Sequence, residues 1–274
     1  MLVEDESGNY VEHVGMKEFP LASHAMTGAI FNNQPHVCDG KTGKCFRLDS
    51  DGPNCSWKND FNWSNSTVEG MTSVVFDDWG GYQNVWWLLP DGKGSSLWAG
   101  TPPTSIPNNI TRPQQANYPC VAKISNHEVF MYYQPKYAMI YNIESNTWTE
   151  LPHTIESRSG GACGFLRNSS GGGNIVLAGG HQSSTSEILK IGNNTWSSAW
   201  APGPDIGDDL YGASMVPVAN NEKLLLVGGY STKPLSEIRS MDMSMKNWTT
   251  VGHLTTPRFY FAAFSAPLTT LLCT

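Results

Sequence analysis

Charge is scarce in this chain. Charged residues are 15% of 274, against roughly 25% in an average domain. Lys and Arg number 17 and Asp and Glu 24, a net charge of −7. Nucleic-acid binding calls for clustered cations, so that class of partner is set aside. No apolar stretch approaches the ~20 residues of a membrane-spanning helix. Catalytic signatures are missing too. Gly-x-Ser-x-Gly, His-Glu-x-x-His and Gly-x-x-x-x-Gly-Lys-Ser/Thr do not occur, which removes the common hydrolase, zinc-protease and phosphate-loop chemistries. Gly171-Gly172-Gly173 has neither the lysine nor a following helix, and reads as a hairpin turn. The acidic knot Asp205, Asp208 and Asp209 lacks the closing Glu of a calcium loop, and reads as a solvated loop. No cofactor or metal is expected. Met1-Leu2-Val3-Glu4-Asp5 has no basic start and no apolar core, so it is not a signal peptide.

What the chain does have is a beat. Trp57, Trp98, Trp148, Trp196 and Trp248 are spaced by 41, 50, 48 and 52 residues. Doublets Asp39-Gly40, Gly80-Gly81, Gly179-Gly180 and Gly228-Gly229 precede four of them by 17, 17, 16 and 19 residues. A period near ~50 residues indicates a repeat architecture. The clearest unit runs from Gly161 to Trp200. Ala162–Leu166 is small and apolar, an innermost strand. Ile175-Val176-Leu177-Ala178 is a continuous apolar run, the mark of a strand buried on both faces. Glu187–Ile191 is a third strand, and Thr195-Trp196-Ser197 begins a fourth. The unit from Ala213 to Thr249 repeats this order. Four short strands per unit with one late aromatic describe the blade of a β-propeller, with the Trp wedged between neighbouring sheets. Trp196 and Trp248 are accordingly expected to be largely buried.

At these residues the chain resembles kelch repeats: an apolar run ending in Gly-Gly, a Glu-Ile strand and a late Trp. The likeness is strong over 158–264, degenerate over 115–157 and loose over 25–114; 60–90 cannot be cut into strands. The expected fold is all-β: a kelch-type β-propeller with four-stranded blades, about five recognisable blades plus a partial sixth. Residues 1–24 form an N-terminal segment, with a closing strand available in 10–31; 25–267 form the propeller and 268–274 a tail. Arg258–Phe264 reads as the opening strand of the sixth unit, so a truncated chain, an open ring or a five-bladed ring is expected.

Compartment is signalled by asparagine. Seven Asn-x-Ser/Thr acceptors occur, at Asn54, Asn62, Asn65, Asn109, Asn168, Asn193 and Asn247. Together they favour a secreted or luminal domain with its true N-terminus upstream of Met1. Six cysteines suit an oxidising compartment and allow fifteen pairings. Cys38 and Cys45 flank a turn-rich loop and are expected to pair across strands. Cys120 and Cys163 sit in first strands of adjacent blades and are expected to be buried free thiols.

In a four-stranded blade the 1–2 and 3–4 loops share one face, and the 2–3 and 4–1 loops the other. Asn54, Asn168, Asn193 and Asn247 crowd the first face; Asn62, Asn65 and Asn109 lie on the second, in early blades. The second face of the later blades is left bare. Its loops carry the partner-binding candidates Arg158, His181, Asp208, Asp209, Tyr211, Tyr230, Lys233, Arg258 and Tyr260, with Arg158 and Arg258 also suited to holding loops. The expected function is a non-catalytic extracellular recognition module for a protein or glycan partner. The alternatives are an intracellular kelch adaptor, for which no helical partner segment precedes residue 20, and a secreted propeller oxidase. The oxidase would need Tyr and His ligands converging on the axis and a Cys beside a Tyr. Sialidase Asp-box repeats do not occur.

Overall fold

A computed structural model describes residues 2–4, 10–12, 25–49, 55–63, 70–79, 81–89, 95–107, 110, 118–169, 172–192 and 195–265. It is a five-bladed β-propeller of antiparallel four-stranded blades. Blade one comprises Met26–Phe31, Gln34–Asp39, Lys44–Asp49 and Ser56–Asn62. Blade two comprises Thr72–Trp79, Tyr82–Leu89, Ser96–Ala99 and Thr104–Ile106. Blade three comprises Cys120–Lys123, Glu128–Tyr133, Tyr137–Asn142 and Thr147–Glu150. Blade four comprises Ala162–Arg167, Gly173–Ala178, Ser186–Gly192 and Thr195–Trp196, with Ala201–Pro202 also pairing on its third strand. Blade five comprises Ser214–Val218, Lys223–Val227, Glu237–Asp242 and Thr249–His253. Tyr10–Glu12, itself paired with Leu2–Glu4, bridges blade five's outer strand in parallel, Tyr10 opposite Gly252.

The second strands explain the continuous apolar runs. Every residue of Gly173–Ala178 is buried, because each face of that strand meets a neighbouring blade. A strand wetted on one face would alternate instead. Aromatic wedges fill the gaps between blades. Trp98 lies 4.4 Å from Phe61 of blade one, and Trp148 lies 6.2 Å from Trp87 of blade two. Trp248 is half-buried against the blade-four and blade-five cluster of Leu166, Val176, Leu224 and Met241. Trp196 departs from the expectation: it is 39% exposed. Its outer strand is only two residues long, so it never reaches the gap. Trp200 fills it instead, buried, 6.0 Å from Phe130 and donating its Nε1–H to Pro152 O at 2.8 Å.

Cys38 and Cys45 form the expected cross-strand disulfide, their Cα atoms 4.0 Å apart. Cys120 and Cys163 are disulfide-bonded as well, which corrects the free-thiol expectation. Innermost strands of adjacent blades converge on the axis and bring the two Cα atoms to 6.0 Å, within disulfide reach. The equivalent contact between blades one and two is a 2.8 Å hydrogen bond of Thr27 Oγ1 with Ser73 Oγ. Among the described residues no cysteine is free.

The partial sixth unit takes a definite place. Ala25, Gly70, Tyr118, Gly160 and Gly212 each open an innermost strand with positive φ, between 46° and 65°. Tyr260 has the same conformation, at 48°. Backbone bonds run around this rim: Gly212 N–H to Gly160 O, Tyr260 N–H to Gly212 O, and Met26 N–H to Tyr260 O. Phe259–Ser265 thus occupies a sixth position at the axis without joining a described strand ladder, and links blade five back to blade one.

Candidate axial recognition face

The glycine doublets position this face. A Cβ on Gly179 would stand 2.1 Å from Leu210 O, and one on Gly228 would stand 2.5 Å from Arg258 O. Each of these two doublets lets the connection to the next unit lie directly on the end of its second strand, whereas Gly81 lies in the turn between the first two strands of blade two. Gly180 N–H then donates to Leu210 O at 2.6 Å, and Gly229 N–H to Arg258 O at 2.7 Å. These contacts fix the 4–1 connections, which carry Tyr211, Phe259 and Tyr260, beside the 2–3 loops, which carry His181 and Tyr230.

The result is a continuous aromatic arc at the mouth of the axis. His181 lies 5.6 Å from Tyr211, and Tyr211 lies 5.3 Å from Tyr230 and 6.1 Å from Tyr260. Phe259 bridges Tyr230 at 5.2 Å and Tyr260 at 5.7 Å. Tyr118, from blade three, faces Tyr260 at 6.4 Å with the rings 26° apart. The face therefore brings together four of the nine candidates: His181, Tyr211, Tyr230 and Tyr260. It adds Tyr118 and Phe259, which sequence reasoning missed. Tyr118 had a usable signal, since it opens its unit where Tyr260 opens the last.

The polar candidates divide. Lys233, Asp209 and Arg258 are exposed. Asp208 is engaged by Arg239 across blade five. Arg158 is not a surface residue: its side chain is 0% exposed, which corrects its assignment as a partner contact. Its Nε donates to Glu187 Oε1 at 2.9 Å, Nη1 to Gly179 O at 2.8 Å, Ser183 Oγ at 3.0 Å and Thr185 O at 2.8 Å, and Nη2 to Thr185 Oγ1 at 2.8 Å. Glu187 also accepts the N–H groups of Ile155 and Glu156. This network anchors the 4–1 and 2–3 loops of blade four under the arc. The Ser183 hydroxyl holds the Glu156 carboxyl below the usual range, helped by Thr185. Burial pushes the Tyr132 phenol, which accepts the Arg158 N–H, up to about 12.

Beneath the arc lies an axial cavity of ≈170 Å³, walled by the openings of all six inner segments. Small and hydroxyl-bearing residues line it, among them Thr27, Thr72, Ser73 and Ser214. Of the glycan acceptors, Asn168 is half-buried in the 1–2 turn of blade four and Asn247 exposed in the 3–4 turn of blade five, both on the opposite face. Asn62 is exposed at the end of blade one's last strand. Asn54, Asn65, Asn109 and Asn193, like the tail 268–274, lie outside the described residues. Among the described residues no group of three His, Cys, Asp or Glu side chains is placed to hold a metal ion. No described helix is long and apolar enough to cross a membrane.

No known sequence family matches this chain, and no curated protein matches it. Among solved structures the chain is similar to YjhT: 13% identical, TM-score 0.67, over 91% of this chain and 89% of that one. That likeness shows the fold alone. Solved chains that match number 593, so the architecture is widespread, and function has to be argued from the site.

Proposed function

We propose that this chain is a kelch-type propeller acting as a non-catalytic extracellular recognition module, which binds a protein or glycan partner through its axial aromatic face. The observation that carries the reading is the arc itself. Five connecting loops deliver His181, Tyr211, Tyr230, Phe259, Tyr260 and Tyr118 to one surface. Tyrosine is enriched at interface hot spots, and its amphipathic ring serves a wet contact. The described acceptors of the later blades, Asn168 and Asn247, project from the opposite face, so glycans there would leave the arc open. Two described disulfides accord with an oxidising compartment.

The compartment is tested by expressing the chain in a secretory eukaryotic host and comparing its mass before and after enzymatic deglycosylation. Unmodified asparagine at every acceptor overturns the extracellular reading. The face is tested on arrays of extracellular proteins and glycans. Tyr211→Ala should weaken a true partner by more than ~1 kcal/mol. A glycan acceptor made by Thr232→Asn with Pro234→Thr should block binding while the blade stays folded. A partner that binds this shielded variant as tightly as the parent does not use this face.

A further inference from the structure

The six rim positions share one backbone conformation but not one residue type. Glycine fills three of them, where positive φ carries no steric penalty. Tyr118 and Tyr260 hold it at 46° and 48°. A bulky side chain in the left-handed region is strained, and strain of this kind is retained where a site needs it. The strain has a visible result. Tyr260 is laid across the rim: a Cβ on Gly160 would meet its hydroxyl at 2.8 Å, and one on Gly212 would meet its ring atoms at 3.1–3.2 Å. Both tyrosines border the axial cavity.

The chemistry of that cavity narrows its occupant. Ring faces carry negative electrostatic potential. Among the described lining residues there is no Lys, Arg, His, Asp or Glu. An anion finds no cationic partner there. A small hard cation finds no carboxylate to replace its water. A weakly hydrated organic cation loses little on entering and gains from the ring faces and hydroxyl oxygens. The chain's net −7 favours the approach of positive charge.

We propose that the axial cavity, with Tyr118 and Tyr260 at its mouth, binds an alkylammonium group. This rests on the reading of the axial face as the recognition surface and names the chemistry it recognises. Two sources share that chemistry: a free quaternary amine, and a trimethylated lysine side chain presented by a partner protein.

The probes are choline, its neutral isostere 3,3-dimethylbutanol, acetate, and a short peptide carrying trimethyllysine, titrated into the full chain by NMR or calorimetry. Choline or the peptide should bind at least tenfold more tightly than the neutral isostere, a difference of about 1.4 kcal/mol; acetate should not bind. Tyr260→Phe keeps the ring and should retain binding, whereas Tyr260→Leu should weaken it at least tenfold. Binding by choline assigns a free amine as an occupant; binding by the peptide alone assigns a protein side chain. Equal affinity for choline and its neutral isostere overturns the proposal, and so does the absence of binding by both amines. The isostere comparison uses the unaltered chain, so a misfolded variant cannot obscure it. If a partner is lost from the shielded Thr232→Asn, Pro234→Thr protein while neither amine binds, the face reading stands and the cation reading falls.

Discussion

Replacing Arg158 by methionine is the sharpest test of how the axial face is held. The guanidinium donates to Glu187, to the carbonyls of Gly179 and Thr185, and to the hydroxyls of Ser183 and Thr185. Methionine roughly fills the aliphatic volume but supplies no donor. Glu187, 2% exposed, is then left with only two backbone N–H groups as partners. Removing one member of a buried pair costs about 3–5 kcal/mol, mostly because the other is left uncompensated. At about 2–4 °C per kcal/mol for a chain near this size, Arg158→Met should melt roughly 6–20 °C below the parent. Arg158→Lys keeps the charge but not the planar fork, and should fall between the two. Thermal unfolding by circular dichroism reads both. At temperatures where each variant is folded, partner affinity should change only as far as the loops shift. A melting point within about 2 °C of the parent would refute the assigned network. Loss of partner binding at full stability would return Arg158 to the contact surface.

Three further outcomes test the fold. The Cys120–Cys163 bridge closes a loop of 43 residues, so replacing both cysteines by alanine should lower stability by about 4 kcal/mol on the chain-entropy account, against about 2 kcal/mol for the Cys38–Cys45 loop; equal denaturant midpoints for the two double variants would contradict this. Trp200→Ala should cost about 3–5 kcal/mol, while the exposed Trp196→Ala should stay within about 1 kcal/mol; the reverse order in chemical denaturation would return the wedge to Trp196. Burial raises Tyr132 and Tyr141 to about 12, so their neutral forms add stability that is complete below pH 10 and is lost as pH rises from 10 to 12; ultraviolet difference titration showing both phenols ionised at pH 10 in the folded protein would contradict it.

The sequence by itself determined the class of architecture, because the blades within 158–264 announce themselves locally, while the strands of the early blades were not separable in the sequence. Ile175–Ala178 is apolar without alternation because both faces of its strand are covered, and Gly179-Gly180 follows because only glycine admits the next connection so closely. The Cys38–Cys45 pairing was legible for the same reason: its partners face each other across one short turn. The tertiary structure decided whatever depends on how blades meet. Cys120 and Cys163 are 43 residues apart, and only convergence of inner strands on the axis makes them neighbours. Trp196 keeps the sequence beat yet is exposed, because the length of its strand, not its spacing, decides whether it reaches the gap. Arg158 and Arg258 stand at matching offsets before Gly160 and Tyr260. Glu187 and the carbonyls of blade four bury the first, whereas the second stands exposed just before the sixth inner segment. The axial arc was partly visible as tyrosines in loops of one face, but its closure through Tyr118 was not. Repeat spacing places side chains along the chain; ring closure decides which of them share a surface.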